Sequence, residues 1–125
     1  MTDVADAAIV APTCTYTLVR GVLGRMGDKW SVVLICELDD GPLRFNELRR
    51  RAEPIAQRML TVTLRGLERD GLVARTVRPT VPPQVEYELT GTGRGFLALV
   101  RDVAAWSEDN GRHIDAARAA YDGRG

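Results

Sequence analysis

Residues that build reactive sites are nearly missing from this 125-residue chain, which has two cysteines and one histidine. Cys14, Cys36 and His113 lie far apart and form no CxxC pair, so no metal site is expected. The chain also lacks a glycine-rich phosphate loop and a GxSxG elbow. His113 does have Asp109 and Asp115 near it, but on a helix end such carboxylates read as solvated charges. The expectation is a protein with no cofactor that is not an enzyme. No run approaches the roughly 20 consecutive apolar residues of a membrane span. The opening MTDVADAAIVAPT carries acids where a signal peptide needs basic residues, so a cytoplasmic protein without membrane contact is expected. Net charge is lacking too: it sums to zero, which alone gives no reason to expect nucleic acid.

What is present is enough apolar residue, 45% of the chain, for one domain with a core. The charge that cancels overall is unevenly placed. Residues 44–78 hold nine arginines against four acids, a net +5, and the remainder is correspondingly −5. A cationic block in an otherwise acidic chain is the footprint of one face that meets phosphate. Arginine outnumbers lysine sixteen to one, a bias that genomic composition also produces and that carries no functional weight.

Along the chain, helices are expected over about Thr17 to Gly27 and Lys29 to Asp39, with Asp28 as N-cap of the second. Trp30, Val33, Leu34, Cys36 and Leu38 make that second helix apolar over more than one stripe, as in a helix packed on two sides. Gly41-Pro42 ends it. From Leu43 to Ala52, the spacing of Phe45, Leu48 and Ala52 predicts a short helix with one apolar face and one arginine face. Pro54 then disfavours helical geometry at Glu53 and breaks the chain.

The next helix, about Ala56 to Asp70, has Leu60, Leu64 and Leu67 at spacings of four and three, with Met59 and Thr63 beside that stripe. Off the stripe lie Gln57, Arg58, Thr61, Val62 and Arg65. Glutamine and arginine can make paired hydrogen bonds to adenine and guanine edges in the major groove, and threonine can offer a hydroxyl or a methyl. After Gly71, the run Leu72 to Arg78 reads as a strand, Pro79 to Pro83 as a tip, and Gln84 to Leu89 as the return strand. Helix, turn, helix and hairpin in this order are the parts of a winged helix-turn-helix DNA reader. The candidate DNA contacts are therefore Arg44 and Arg49 ahead of the turn, Gln57, Arg58, Thr61 and Arg65 on the recognition helix, and Arg75, Arg78 and Gln84 on the wing. An arginine run such as Arg49-Arg50-Arg51, or a wing arginine, taken alone reads more often as a solvated face; their joint placement on these elements favours DNA.

From Gly91 to Tyr121 the chain reads as amphipathic helix with a break near Gly111. Phe96, Leu97, Val100, Val103, Ala104 and Trp106 form its apolar stripe, which Ile114, Ala117 and Tyr121 continue. That is more apolar helix than a unit this small can cover, so a homodimer is expected, built from the N-terminal helix and this region. Two such readers suit an inverted-repeat operator on double-stranded DNA. Cys36 reads as a buried, inert thiol, and Cys14, ahead of the first helix, as an accessible one near a helix N-terminus. Tyr16, Trp30 and Phe96 read as core, with a ligand pocket at the dimer interface as the alternative.

The blocks GDKWSVVLI, GPLRFNELRR, RMLTVTLRGLERDGLV and VPPQVEYELT resemble consecutive signature segments of the HxlR family of bacterial transcription regulators. The resemblance covers about residues 14 to 121. It implies a homodimeric winged-helix repressor or activator, in some members switched by an oxidant or small electrophile acting on a cysteine. Cys14 stands where such members carry that cysteine, although Thr15 replaces their proline. Ala56 likewise replaces the serine that in relatives caps the recognition helix. The expected fold class is α+β, mainly α. Residues 1–13 are expected to form a flexible N-terminal segment and residues 14–125 the winged helix-turn-helix domain. Within it the helix-turn-helix occupies about 43–70, the wing about 72–90, and C-terminal dimerisation helices about 91–121. Two other readings stay open: a winged-helix protein-interaction module without specific DNA binding, and a regulator with a non-covalent small-molecule inducer.

Overall fold

The computed structural model describes residues 12–124, with side chains from residue 16 onward, so the expectation for residues 1–13 lies almost wholly outside the described residues. The order is α1 (Pro12–Gly27), α2 (Lys29–Glu37), β1 (Leu43–Arg44), α3 (Phe45–Arg51), α4 (Gln57–Arg69), β2 (Val73–Arg78), β3 (Gln84–Leu89) and α5 (Gly91–Asp122). The three strands form one antiparallel sheet in the order β1-β3-β2. This is a mainly helical winged helix-turn-helix fold.

The core forms where helical periodicity placed leucine. Leu34, Ile35 and Leu38 from the α2 region, Leu48 from α3, and Leu60, Leu64 and Leu67 from α4 are buried together, closed by Val73, Leu89, Phe96 and Leu97. At roughly 1.5–3 kcal/mol for each fully buried side chain, this cluster is the main stabilising contribution of the unit. One expectation fails here: Cys36 does not join the buried stripe but faces solvent, because Ser31, Leu34 and Ile35 occupy the inward side of α2. Ser31 is tolerated at full burial because its hydroxyl donates to the carboxylate of Asp28. Asp28 does precede α2 in extended geometry, but it binds that hydroxyl rather than capping the helix backbone.

Boundaries also differ from the expected ones: α1 begins at Pro12, ahead of Thr17, and two further differences bear on the site. Leu43 and Arg44 are not helical; they form a two-residue strand in register with Tyr87 and Glu86. A strand that short leaves no periodic trace in sequence. Arg44 then starts α3, its backbone N–H donating to Glu47 Oε1 at 2.9 Å. The second difference is larger. The C-terminal region is one helix of 32 residues with no break at Gly111, since an isolated glycine lowers helix propensity without removing a backbone hydrogen bond.

The root of the wing is locked to the start of α5. Thr90 caps α5 by accepting from the Gly93 N–H at 3.0 Å, and its hydroxyl donates to the Gly71 carbonyl at 2.6 Å. Gly71, at φ +75°, supplies the left-handed turn that ends α4. Gly93 is required by close approach, because a Cβ there would lie 2.0 Å from the Leu72 carbonyl oxygen. Beyond Val100, by contrast, α5 leaves the core, and so does most of α1. Among the described residues no helix is long and apolar enough to cross a membrane.

Candidate nucleic-acid interface

Helix α4 is held from behind by Leu60, Thr63, Leu64 and Leu67, all buried, which forces the intervening positions outward. Gln57, Arg58, Thr61, Val62 and Arg65 share one open face. The structure thus brings together the five off-stripe residues expected from spacing, Val62 among them. No side chain caps the helix at Ala56, as its missing hydroxyl implies. Met59, expected beside the core stripe, is about half exposed.

Neighbouring elements frame this face. From α3, Arg49 Nη1 donates to Gln57 Oε1 at 3.3 Å, which orients the amide and leaves its N–H donors free for a base. Arg49 also borders a groove with Asn46, Arg50, Glu53, Pro54 and Ile55, where the helix-turn-helix bends. On the other flank, Arg75 meets Thr61 and Arg65 in a cleft that also contains Phe45, Glu68 and Tyr87. Arg75 therefore serves the base of the wing, next to the recognition helix, and not its tip. The tip carries Arg78 and Gln84, which are paired in register. Arg78 is not a free cation: its Nε and Nη2 both donate to Glu86 Oε1, at 3.1 and 2.9 Å. Arg44 sits exposed on β1, whose Cα partner is the same Glu86. Among the described residues, Arg44, Arg49, Arg58, Arg65 and Arg75 form no ion pair, whereas Arg51 turns back to Glu37.

Thr61 departs from its simplest reading. Its hydroxyl donates to the Gln57 carbonyl at 3.1 Å, so the proton is already committed within the helix. What remains to a ligand is an acceptor oxygen and a methyl group. Asn46, which follows the first core position of a short helix, is a surface residue that the sequence reading did not single out; Val62 was placed off the stripe but not counted among the DNA contacts.

A second set of contacts ties this face to the N-terminal helix. Arg25, near the end of α1, donates from Nε to Asp70 Oδ2 at 2.9 Å and from Nη1 to Ser31 Oγ at 3.3 Å. Its guanidinium lies against Gly66 of α4, where an added Cβ would be 3.0 Å from the nitrogens. Three elements thus converge on one arginine. Beside it, Thr17, Leu18, Gly21, Val22, Leu72, Thr92 and Phe96 line a groove of about 510 Å³. Of the aromatics considered for a pocket, Phe96 lines this groove, while Tyr16 and Trp30 do not.

The thiols differ in setting. Cys14 falls within the first turns of α1, not ahead of it, and its side chain lies outside the described part of the structure. Cys36 is solvent-accessible at its edge, yet packing removes enough water around the sulfur that its pKa is raised; Arg101 opposes this, and Asp39 and Glu37 add to it. Such a thiol is a weak nucleophile at neutral pH. Among the described residues, no group of three or more His, Cys, Asp or Glu side chains is placed to hold a metal ion.

The same architecture recurs in known proteins. Residues 25–115 match the HxlR-like helix-turn-helix family. An HTH-type transcriptional regulator of Methanothermobacter thermautotrophicus is 44% identical over 95 residues, covering 76% of this chain and 72% of the relative. The reduced form of the redox regulator HypR is 44% identical, with a TM-score of 0.69 over 78% of this chain and 97% of HypR. Diamide-treated YodB from Bacillus subtilis is 33% identical, with a TM-score of 0.67 over 72% of this chain and 89% of YodB. The matched span takes in the arginine-framed helix, its turn and its wing, so the chain belongs to the HxlR-like helix-turn-helix family of transcriptional regulators.

Proposed function

We propose that this protein is a homodimeric transcriptional regulator that binds an inverted-repeat operator in double-stranded DNA, acts as a repressor, and is released through chemistry at Cys14. The observation that carries the DNA reading is the outward face of α4. There Gln57, Arg58, Thr61 and Arg65 stand together between the unpaired cations Arg49 and Arg75. Gln57 and Arg58 open the helix and read base edges; Arg65 and Arg75 hold phosphate or the next base; Arg44 and Arg49 anchor the backbone ahead of the turn. Arg78 and Gln84 approach phosphate from the wing, with Arg78 exchanging Glu86 for it.

A second copy is the partner that suits the helices outside the core. Tyr16, Leu18, Val19, Val22 and Leu23 on α1, with Leu99, Val103, Trp106 and Tyr121 on α5, are all exposed in the single chain. Pairing them around a two-fold axis covers apolar surface on both copies and sets two recognition helices about 34–36 Å apart, one DNA turn.

The thiol switch is supported by likeness. HypR is a redox regulator known in reduced and oxidised forms, and YodB in reduced and diamide-treated forms. Diamide takes two electrons and two protons from a pair of thiols as a disulfide forms; a quinone adds to one thiolate. Either change at Cys14 perturbs α1, and Arg25 passes the movement to Asp70 at the end of α4. The groove beside Arg25 supports the alternative of a non-covalent inducer on the same lever.

Selection of bound duplexes from a random pool tests all of this, followed by titration of the best site at fixed salt with and without diamide. An inverted repeat bound by wild type, lost in Gln57→Ala or Arg58→Ala, and released by diamide unless Cys14→Ser is present, is the expected result. Release that survives Cys14→Ser removes the thiol switch, and a site that diamide leaves bound moves the search to the groove. No enrichment at all makes the protein an interaction module without specific DNA binding.

A further inference from the structure

We infer that Val62 is a specificity-determining residue that reads the 5-methyl group of a thymine in each half-site, a role that rests on the DNA-binding reading above. Valine at a solvent-exposed helix position needs a reason. It supports the helix less well than alanine does, because its β-branch restricts χ1. It contributes nothing to the core, since 57% of its surface is exposed in a chain whose leucines close that core completely. Its neighbours rule out a purely apolar patch. Val62 shares its face with Gln57, Arg58, Thr61 and Arg65, the side chains suited to base edges and phosphate.

That face offers the floor of a major groove two chemistries. Gln57 and Arg58 supply hydrogen bonds. Val62 can supply none, and the only apolar group a base pair presents in the major groove is the thymine methyl. Thr61 reinforces the apolar character: with its hydroxyl proton held by the Gln57 carbonyl, it cannot donate to a base. Positions 61 and 62 therefore discriminate by methyl contact, while positions 57 and 58 discriminate by hydrogen bonds. Arg58 and Gln57 lie one turn nearer the helix start than Val62, so the thymine is offset from the bases they read.

The test replaces thymine by deoxyuridine, one position at a time, in one half of the selected site. Deoxyuridine keeps the pairing edge and O4 and removes only the methyl. One position is expected to weaken wild-type binding about fourfold, the value of one buried methyl-sized group. Val62→Ala is expected to bind the thymine and deoxyuridine duplexes at that position alike, with its thermal unfolding unchanged or slightly raised, because the position is exposed and alanine favours the helix. The inference is overturned if every single replacement leaves wild-type affinity within about twofold, if the selected half-site contains no thymine, or if Val62→Ala keeps the full penalty. The wild-type scan stands without the variant. A pool that yields no site instead removes the DNA-binding reading, and this inference with it.

Discussion

Leu64 and Trp106 are both large apolar residues on amphipathic helices, yet 1% of one is exposed and 60% of the other. They represent two regions. The winged unit, from α2 to the first turns of α5, closes its own core around leucines from four helices and seals it with the sheet. The arms, α1 and the outer part of α5, have the same amphipathic patterning with nothing behind it. One region finds its partners within the chain, and the other leaves its apolar stripe uncovered in the single chain. Amphipathicity reports that a face is to be covered, without saying by what.

The comparison predicts that substitutions in the two regions fail differently. Leu64→Ala should cost the winged unit about 2–5 kcal/mol and lower its unfolding midpoint at every protein concentration. A change of under about 1 kcal/mol would erase the distinction between the regions. Leu99→Glu with Trp106→Glu should leave the secondary structure of the unit intact and dissociate the proposed dimer, at ~2 kcal/mol for each residue if both are central to the interface. Sedimentation at micromolar concentration checks it, and a wild type already monomeric would leave the arms unexplained.

Within the winged unit the contrast sharpens between residues proposed to read bases and residues proposed to hold phosphate. Arg58→Ala should cost about 1–3 kcal/mol of operator affinity and relax selectivity at one base pair. Arg78→Ala should do less, weakening all sequences alike and reducing the slope of log affinity against log salt by no more than about 1. Its bonds to Glu86 already offset part of its charge. Fluorescence anisotropy at several salt concentrations separates the two.

The smallest effect concerns the thiols, one in each region. Burial raises the pKa of Cys36. The folded state thus holds that proton more tightly than the unfolded chain; the resulting stabilisation is present below the unfolded pKa and is lost as pH rises through the folded value. In Cys14→Ser protein, alkylation of Cys36 near pH 7 should be slower than that of a free peptide thiol and should accelerate at higher pH than the peptide does. Reaction at the peptide rate would make Cys36 a second candidate sensor.

Much of the site was legible because it follows helical period. Leu60, Leu64 and Leu67 define the buried side of α4, and Gln57, Thr61 and Arg65 the open side, before any coordinates exist. What could not be read were pairings between distant residues. Nothing local marks Arg78 as the partner of Glu86 or assigns Arg75 to the cleft beside Thr61. Cys36 was misplaced for a related reason: α2 is apolar on more than one side, and only its packing against α4 and α5 selects which side turns inward. Gly111 misled because glycine weakens a helix without forbidding it, and the helix there runs on.

By itself, then, the sequence determined the order of elements, the faces of α4 and the uneven charge, since period, turn chemistry and composition act over a few residues. Only the tertiary structure decided that Leu43 and Arg44 pair with β3, that Arg25 bonds to Asp70 across 45 positions, and that Arg75 borders the cleft beside Thr61 and Arg65. Those outcomes depend on which surfaces meet when the core closes, and closure is a property of the whole chain.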